Sequence, residues 1–281
     1  MNSSRRDRPL GRSGITVPAL GIGTNRWGSG AADQNKLDDS YRTALDTGMG
    51  FIDTAEVYNS GKSEKAIKAA SQKDGRPVVL ASKFAPFPYR LTPAQLTAAL
   101  DRTLERLGRD SIDLYYLHFP FSPRGLATWM EPMARAVKEG KIRAVGVSNC
   151  NSVQMRKAAA VLARHDVPLA ANQVQYSVAH RKPESNGVLQ ACRDMDVALV
   201  AYRPIGGGPT AGSKANEALR EVAERHGATT SQVALAWLLK RGDHVIPIPG
   251  ATRPEHVREN AGALDLELTP DDIAAIDAYT V

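Results

Sequence analysis

Short apolar, β-branched runs return along this chain at a nearly regular interval, and that rhythm limits its architecture more than any other feature. The runs fall at residues 19–23, 51–53, 78–82, 112–118, 144–148, 171–175, 198–202 and 245–247. Most starts lie roughly 30 residues apart, the length of one βα unit. Several of the runs are continuously apolar, as expected for parallel strands covered on both faces. Eight such units predict a closed (β/α)8 barrel, with an open doubly wound sheet as the alternative. The 281 residues suit one barrel domain of about 250 residues better than two separate domains.

The segments between the runs carry helix signals. Thr92-Pro93-Ala94-Gln95 offers an N-cap, a proline at the first helical position and a glutamine to close a capping box. Thr269-Pro270-Asp271-Asp272 repeats the device before a last, extra helix, with acids that suit the helix dipole. Residues 231–240 are apolar almost all round, predicting a buried helix that Gly242 ends. Ahead of the first barrel strand, LGRSGITVPAL reads as a hairpin turning at Ser13-Gly14. In a barrel it would plug the bottom face. Residues 1–12 are expected to form a flexible basic arm, and 13–281 the single barrel domain.

Charge excludes some functions. The net charge is +6, and half of it comes from Arg5, Arg6, Arg8 and Arg12 against Asp7. The remainder is too diffuse for the basic stripe of a nucleic-acid binder. Ser3, Ser4, Arg5 and Arg6 mimic an export signal, but no apolar segment follows them, so a secretory role is not expected. No run reaches the ~18 apolar residues of a membrane span. Cys150 and Cys192 show no CxxC or framework spacing. They read as reduced, packed thiols of a cytoplasmic protein whose partner is a small molecule.

Two glycine motifs invite a nucleotide reading. Gly21-Ile22-Gly23 follows the first run, but the third glycine of a Rossmann fingerprint would fall on Arg26. Gly206-Gly207-Gly208 after the seventh run is by itself only a loop.

Chemistry concentrates where a barrel holds its active site, at the C-terminal strand ends. Asp53 ends the second run, with Tyr58 five residues on; Lys83 follows the third and His118 ends the fourth. Alone, these would be a turn acid, a half-buried aromatic, a solvated lysine and a core histidine. Together they suit one task, making a phenol a proton donor. A phenol titrates near ~10, and drawing that down by roughly 2 to 3 units takes about 3 to 4 kcal/mol. A partly desolvated ammonium can supply this, with Lys83 the candidate and Asp53 its counter-ion. His118 could then orient a carbonyl and stabilise its developing charge.

In order and spacing, FIDTAEVY, VVLASKF, DLYYLHFP, RAVGVSN, NQVQYS, AYRPIGGG, SQVALAWLL and IPGATRPEHVREN resemble the aldo-keto reductase superfamily over essentially the whole chain. The resemblance implies a (β/α)8 barrel that binds an extended nicotinamide dinucleotide, without metal or flavin, and transfers hydride to a carbonyl substrate. Asp53, Tyr58, Lys83 and His118 match the family tetrad. Thr24 and Asp53 match residues near the nicotinamide ribose, and Ser148, Asn149 and Gln173 those holding the carboxamide. Tyr202 matches the aromatic that stacks on the ring, a contact worth roughly 0.5 to 1.5 kcal/mol beyond area burial. The backbone at Ile205, Gly206 and Gly207 matches the approach to the pyrophosphate. Gly250, Thr252, Arg253 and His256 belong to the motif facing a 2′-phosphate, with Glu259 and Asn260 on the adenine side. An arginine fork suits that phosphate, so NADPH is expected in preference to NADH. Gly250 and Ala251 stand where a Lys-Ser pair is common, which removes one phosphate ligand. Arg203 replaces a small polar residue, and either adds a phosphate contact or points to solvent.

Trp27, Phe84 and Phe119, with Phe87 beside them, are expected to line an apolar substrate mouth. Long-tailed family members cover that mouth with a C-terminal loop. The sequence shows none after its terminal helix, so an open site of modest selectivity is expected. Two other readings compete with carbonyl reduction: a Schiff-base barrel aldolase using Lys83, and a dinucleotide-sensing regulatory subunit with slow turnover.

Overall fold

In a computed structural model, residues 7–30, 33–206 and 214–278 are described. Gly207 lies outside them. Two short strands, β1 (Asp7–Pro9) and β2 (Thr16–Pro18), form an antiparallel hairpin. Eight parallel strands follow in chain order: β3 (Ile22–Gly23), β4 (Phe51–Asp53), β5 (Val79–Phe84), β6 (Ile112–Leu117), β7 (Ile142–Ser148), β8 (Leu169–Gln175), β9 (Ala198–Tyr202) and β10 (Val245–Ile248). Each overlaps one apolar run of the sequence. The open-sheet alternative fails because the first and last strands meet. Gly21 and Gly23 donate backbone hydrogen bonds to the carbonyls of Pro247 and Pro249, both at 3.0 Å. A Cβ on Gly21 would lie 2.7 Å from the Phe51 carbonyl oxygen. The Gly-Ile-Gly sequence therefore serves the seam of a closed barrel.

The helices are α1 (Gln34–Asp46), α2 (Lys62–Asp74), α3 (Pro93–Leu107), α4 (Ala127–Lys138), α5 (Ser152–Ala163), α6 (Lys182–Ser185), α7 (Val188–Asp194), α8 (Lys214–His226), α9 (Thr230–Leu239), α10 (Pro254–Ala261) and α11 (Pro270–Asp277). Both expected capping boxes are present, Thr92 with Gln95 and Thr269 with Asp272. The nearly continuous apolarity of α9 has a packing cause. It lies against β10 on one side and is covered by α8, α10 and a 3-10 turn at Gly262–Leu264 on the others. No helix of the described residues is long and apolar enough to cross a membrane.

Strand alternation divides the apolar side chains into two cores. Ile52, Leu80, Tyr115, Leu117, Val145, Val147 and Leu199 point outward and pack beneath the helices. Phe51, Ala81, Leu114, Tyr116, Ala144, Ala171, Ala198, Val200, Ile246 and Ile248 point inward and fill the barrel. The hairpin closes this inner core from below with Leu10, Ile15 and Val17.

The hairpin also corrects the expected arm. Asp7–Pro9 form β1 inside the segment read as flexible, because Arg8 is an anchor. Arg8 is 6% exposed, and its guanidinium donates to the carbonyls of Leu239 (2.8 Å), Gly242 (3.0 Å) and Val245. Burial lowers its pKa to about 10, which still leaves it charged at neutral pH. Replacing it by methionine keeps its aliphatic packing but strands these acceptors, at a cost of about 1.5–3 kcal/mol for a charge-assisted bond. Arg8→Met should therefore lower the denaturation midpoint in urea, while turnover per folded molecule is unchanged.

Candidate active site

The same alternation that sends Phe51, Ala81 and Ala144 inward sends Asp53, Lys83 and Ser148 inward two or four residues later. Gln173 and Tyr202 stand in the same phase on β8 and β9, and His118 follows Tyr116 just past β6. The apolar barrel interior thus ends in a polar layer at the C-terminal mouth. There Lys83, fully buried, donates to Asp53 Oδ1 at 2.5 Å, to the Thr54 carbonyl at 2.7 Å and to the Tyr58 hydroxyl at 3.3 Å. Gln173 Nε2 reaches across the barrel to Asp53 Oδ2 at 2.8 Å. Thr24 donates to the Asp53 carbonyl at 2.9 Å. The ring of Tyr116 lies over Gly146, where a Cβ would come within 2.4 Å of it, and also sits 5.8 Å from the Lys83 ammonium.

Burial shifts the acidity of these groups. It pushes the Asp53 carboxyl up, and the Lys83 charge and hydrogen bonds only partly offset this. Burial alone would push Lys83 down, but the Asp53 charge, Tyr58 and their hydrogen bonds outweigh it, so its pKa rises and the amine stays an ammonium. His118 is driven down to about 3, first by burial and then by the Lys83 charge. It is therefore a neutral imidazole at physiological pH. Its Nδ1 is buried and has no hydrogen-bond partner within the protein. The Tyr58 and His118 rings meet edge to face, with centroids 5.8 Å apart.

Tyr58 opens a 3-10 turn, Tyr58–Gly61, in which Asn59 (φ 49°), Ser60 (φ 55°) and Gly61 (φ 82°) are all left-handed. That conformation costs an L-residue roughly 1–2 kcal/mol. Asn149 (φ 59°) and Arg203 (φ 49°) also adopt it. Four of the six non-glycine residues with positive φ among the described residues therefore border this mouth, where such strain tends to collect. Between Asp53 and Tyr58, Glu56 accepts from the Ala85 amide at 2.8 Å and pairs with Arg90, fixing the loop after β5.

The polar groups expected at a carboxamide form one chain. Tyr202 OH donates to Asn149 Oδ1 (3.1 Å), Asn149 Nδ2 donates to Ser148 Oγ (3.0 Å), and Ser148 Oγ donates to the Gln173 carbonyl (2.9 Å). These residues, with Thr24, Asp53, Tyr58, His118, Phe119, Arg203 and Gly250, line a cavity of about 350 Å³. A second cavity of about 680 Å³ runs from Gly23 and Gly250 past Arg203, Ile205 and Gly206 to Thr252, Arg253 and His256. Arg26 joins this wall, and among the described residues no acidic one lines it. This positive wall fits a ligand carrying phosphates. Glu259, half-buried, and Asn260, buried, sit about a turn beyond His256 on α10 and line neither cavity.

Two expected substrate contacts are corrected. Phe84 is 0% exposed because Lys83 takes the inward phase of β5; its neighbour must point outward, where it packs on Trp129 at 5.0 Å. Trp27 is also fully buried, and its indole donates to the Ala251 carbonyl at 2.7 Å, making it a strut between loops. Phe119 is 39% exposed and stacks on the His118 ring at 4.3 Å, so it does face the mouth. Phe87 stacks on Tyr89 at 5.4 Å in the loop after β5 and lines neither cavity. Asn25, Arg26, Glu56 and Asn59 were missed. Of these only Arg26 has a sequence signal, a cation three residues after a strand-end glycine.

Fold and site together define a (β/α)8 barrel with a polar mouth built around a buried amine, a carboxylate and a phenol. The chain belongs to the Aldo/keto reductase family, whose model matches residues 19–280. It is 32% identical to the aldo-keto reductase yakc [NADP(+)] of Schizosaccharomyces pombe, over 93% of this chain and 88% of that protein. A thermostable aldo-keto reductase solved with the inhibitor epalrestat is 36% identical, with a TM-score of 0.87 over 97% of this chain and 98% of that one. An aldo-keto reductase of Klebsiella pneumoniae in complex with NADPH is 32% identical, with a TM-score of 0.84 over 97% and 94% of the two chains.

The depressed His118 has a consequence for stability. Between about pH 3 and the ordinary 6.5, the unfolded chain binds a proton there that the folded protein does not. The contribution of His118 is thus complete above 6.5 and is lost as pH falls, with a slope of up to about 1.4 kcal/mol per pH unit. Chemical denaturation of wild type and His118→Gln between pH 4 and 7 should show a flatter slope in the variant.

Proposed function

We propose that this protein reduces aldehydes or ketones to alcohols with NADPH, with Tyr58 as the proton donor. The observation that carries this reading is the Tyr58 hydroxyl, in the wall of the first cavity, 3.3 Å from a buried ammonium that is itself anchored on Asp53. When bound, NADPH supplies the hydride. Everything else is the work of the chain. Tyr58 gives its proton to the carbonyl oxygen, and the Lys83 charge favours the phenolate left behind. Asp53 keeps Lys83 protonated and fixes its position. Neutral His118 donates a hydrogen bond from one ring nitrogen to the same oxygen, which orients the substrate.

The cofactor assignments follow the wall chemistry. Tyr202 offers a flat face to the nicotinamide, and the Ser148–Asn149–Gln173 chain offers donors and acceptors to its carboxamide. Thr24 and Asp53 lie by the ribose. Arg26, Arg203, Arg253 and His256 meet the phosphates, with the backbone at Ile205, Gly206, Gly250 and Thr252 beside them. The NADP(+)-dependent relative and the NADPH-bound neighbour support NADPH over NADH. The first aromatic a substrate meets is Phe119. An aldolase reading has little support, since Lys83 is buried as an ammonium beside a carboxylate and a Schiff base needs a free, accessible amine. The complete tetrad likewise favours an enzyme over a slow dinucleotide sensor.

Tyr58→Phe should lower kcat for a panel of aldehydes by about 10²–10⁴, followed at the NADPH absorbance band, with dinucleotide affinity unchanged. Arg253→Ala should raise KM for NADPH roughly 10- to 100-fold while KM for NADH changes little, as expected for loss of a charge-assisted phosphate contact. Equal losses with both dinucleotides would remove Arg253 from the 2′-phosphate site.

A further inference from the structure

We infer that Asn59 is a positioning residue that joins the catalytic tyrosine to the wall of the dinucleotide groove; the inference rests on the reductase reading above. Asn59 follows Tyr58 and begins the left-handed stretch through Ser60 and Gly61. Its side-chain amide leaves its own loop altogether. Nδ2 donates to the carbonyl of Asn25 at 3.0 Å and to that of Trp27 at 2.8 Å. One amide group thus uses both of its protons on the turn after β3.

That turn holds Arg26 between the two accepting carbonyls, and Arg26 lines the basic cavity. Its far end is fixed as well, since the Trp27 indole donates to the Ala251 carbonyl at 2.7 Å, next to Thr252 and Arg253. A continuous path of hydrogen bonds therefore runs from the residue beside Tyr58, through the Arg26 turn, to the loop at the phosphate end of the groove. Side-chain amides tolerate the left-handed region better than most residues, so asparagine meets two demands here. It accepts the backbone conformation that presents Tyr58 to Lys83, and it ties that conformation to the Arg26 turn. Glycine would meet only the first. Aspartate, with oxygens facing two carbonyl oxygens, would oppose the second.

The two substitutions separate these roles. Full-length Asn59→Gly and Asn59→Asp are compared with wild type and Tyr58→Phe for NADPH dissociation constant by fluorescence titration, single-turnover hydride transfer, and carbonyl KM. In Asn59→Gly the expected result is an NADPH dissociation constant raised about fivefold and a transfer rate lowered about tenfold, with carbonyl KM within about twofold, because small displacements of reacting groups carry costs of this size. Asn59→Asp should be worse on both counts. A purely structural role would reduce the fraction of protein that binds NADPH and leave the constants of that fraction unchanged. In Arg26→Gln the Asn59→Gly effect on NADPH affinity should largely vanish, since both changes act through one contact. Transfer rate and affinity both within about twofold of wild type in Asn59→Gly would overturn the proposal, as would a slower transfer with unaltered NADPH affinity. Failure of wild type to oxidise NADPH with any carbonyl would instead sink the reductase reading, and the affinity ratio would still decide the role of Asn59.

Discussion

A lysine ammonium held with no solvent contact, 2.5 Å from an aspartate, is the interaction on which the rest of the mouth depends. An unpaired ion there would be untenable, and removing one partner of such a pair typically costs about 3–5 kcal/mol. Three strands cooperate to avoid that. Asp53 comes from β4, Lys83 from β5, and Gln173 from β8 satisfies the second carboxylate oxygen. The Thr54 carbonyl takes another ammonium proton, and Tyr116 shields the pair from below. What remains for Lys83 is the phenol of Tyr58. The chemistry is therefore a by-product of how a buried charge is satisfied.

The barrel makes that arrangement possible by keeping one phase on every strand. Inward positions carry phenylalanine, alanine, leucine and valine near the bottom, where the hairpin completes the packing, and change to polar residues only in the last layer. The low dielectric beneath strengthens every interaction above it. It also explains the neutral His118 without special pleading, since burial is the larger of its two causes. The loops then add what the strands cannot: Tyr58 on a strained turn, Arg203 and Asn149 in left-handed conformations, and a groove wall with cations and, among the described residues, no acid. An ion pair of Glu64 with Arg106, and a hydrogen bond donated by Ser82 to the other carboxylate oxygen, secure α2 against α3 and β5 behind the site. They hold the segment that follows the Tyr58 turn.

Much of this was legible in the sequence because it rests on local rules. The eight apolar runs, the capping boxes at Thr92 and Thr269, the plugging hairpin and the buried α9 all follow from period and cap chemistry within a few residues. Asp53, Tyr58, Lys83 and His118 were identifiable as chemistry-bearing groups at strand ends, and their motifs gave the family. Phase alone could also have removed Phe84 from the mouth, since an inward Lys83 forces its neighbour outward.

Tertiary structure decided whatever depends on partners distant in sequence. Arg8 reads as part of a charged arm until the carbonyls of Leu239, Gly242 and Val245 surround it. Trp27 reads as a pocket aromatic until its indole finds Ala251, and Gly21-Ile22-Gly23, which fails as a nucleotide fingerprint, finds its use only in the barrel seam. Asn59 carries no local signal, because what matters is which backbone it faces across the mouth. Hydrophobic period and cap chemistry act over a few residues and so are written in the chain. Hydrogen bonds and ion pairs across a closed barrel join residues up to more than two hundred positions apart, and only the closed fold selects them.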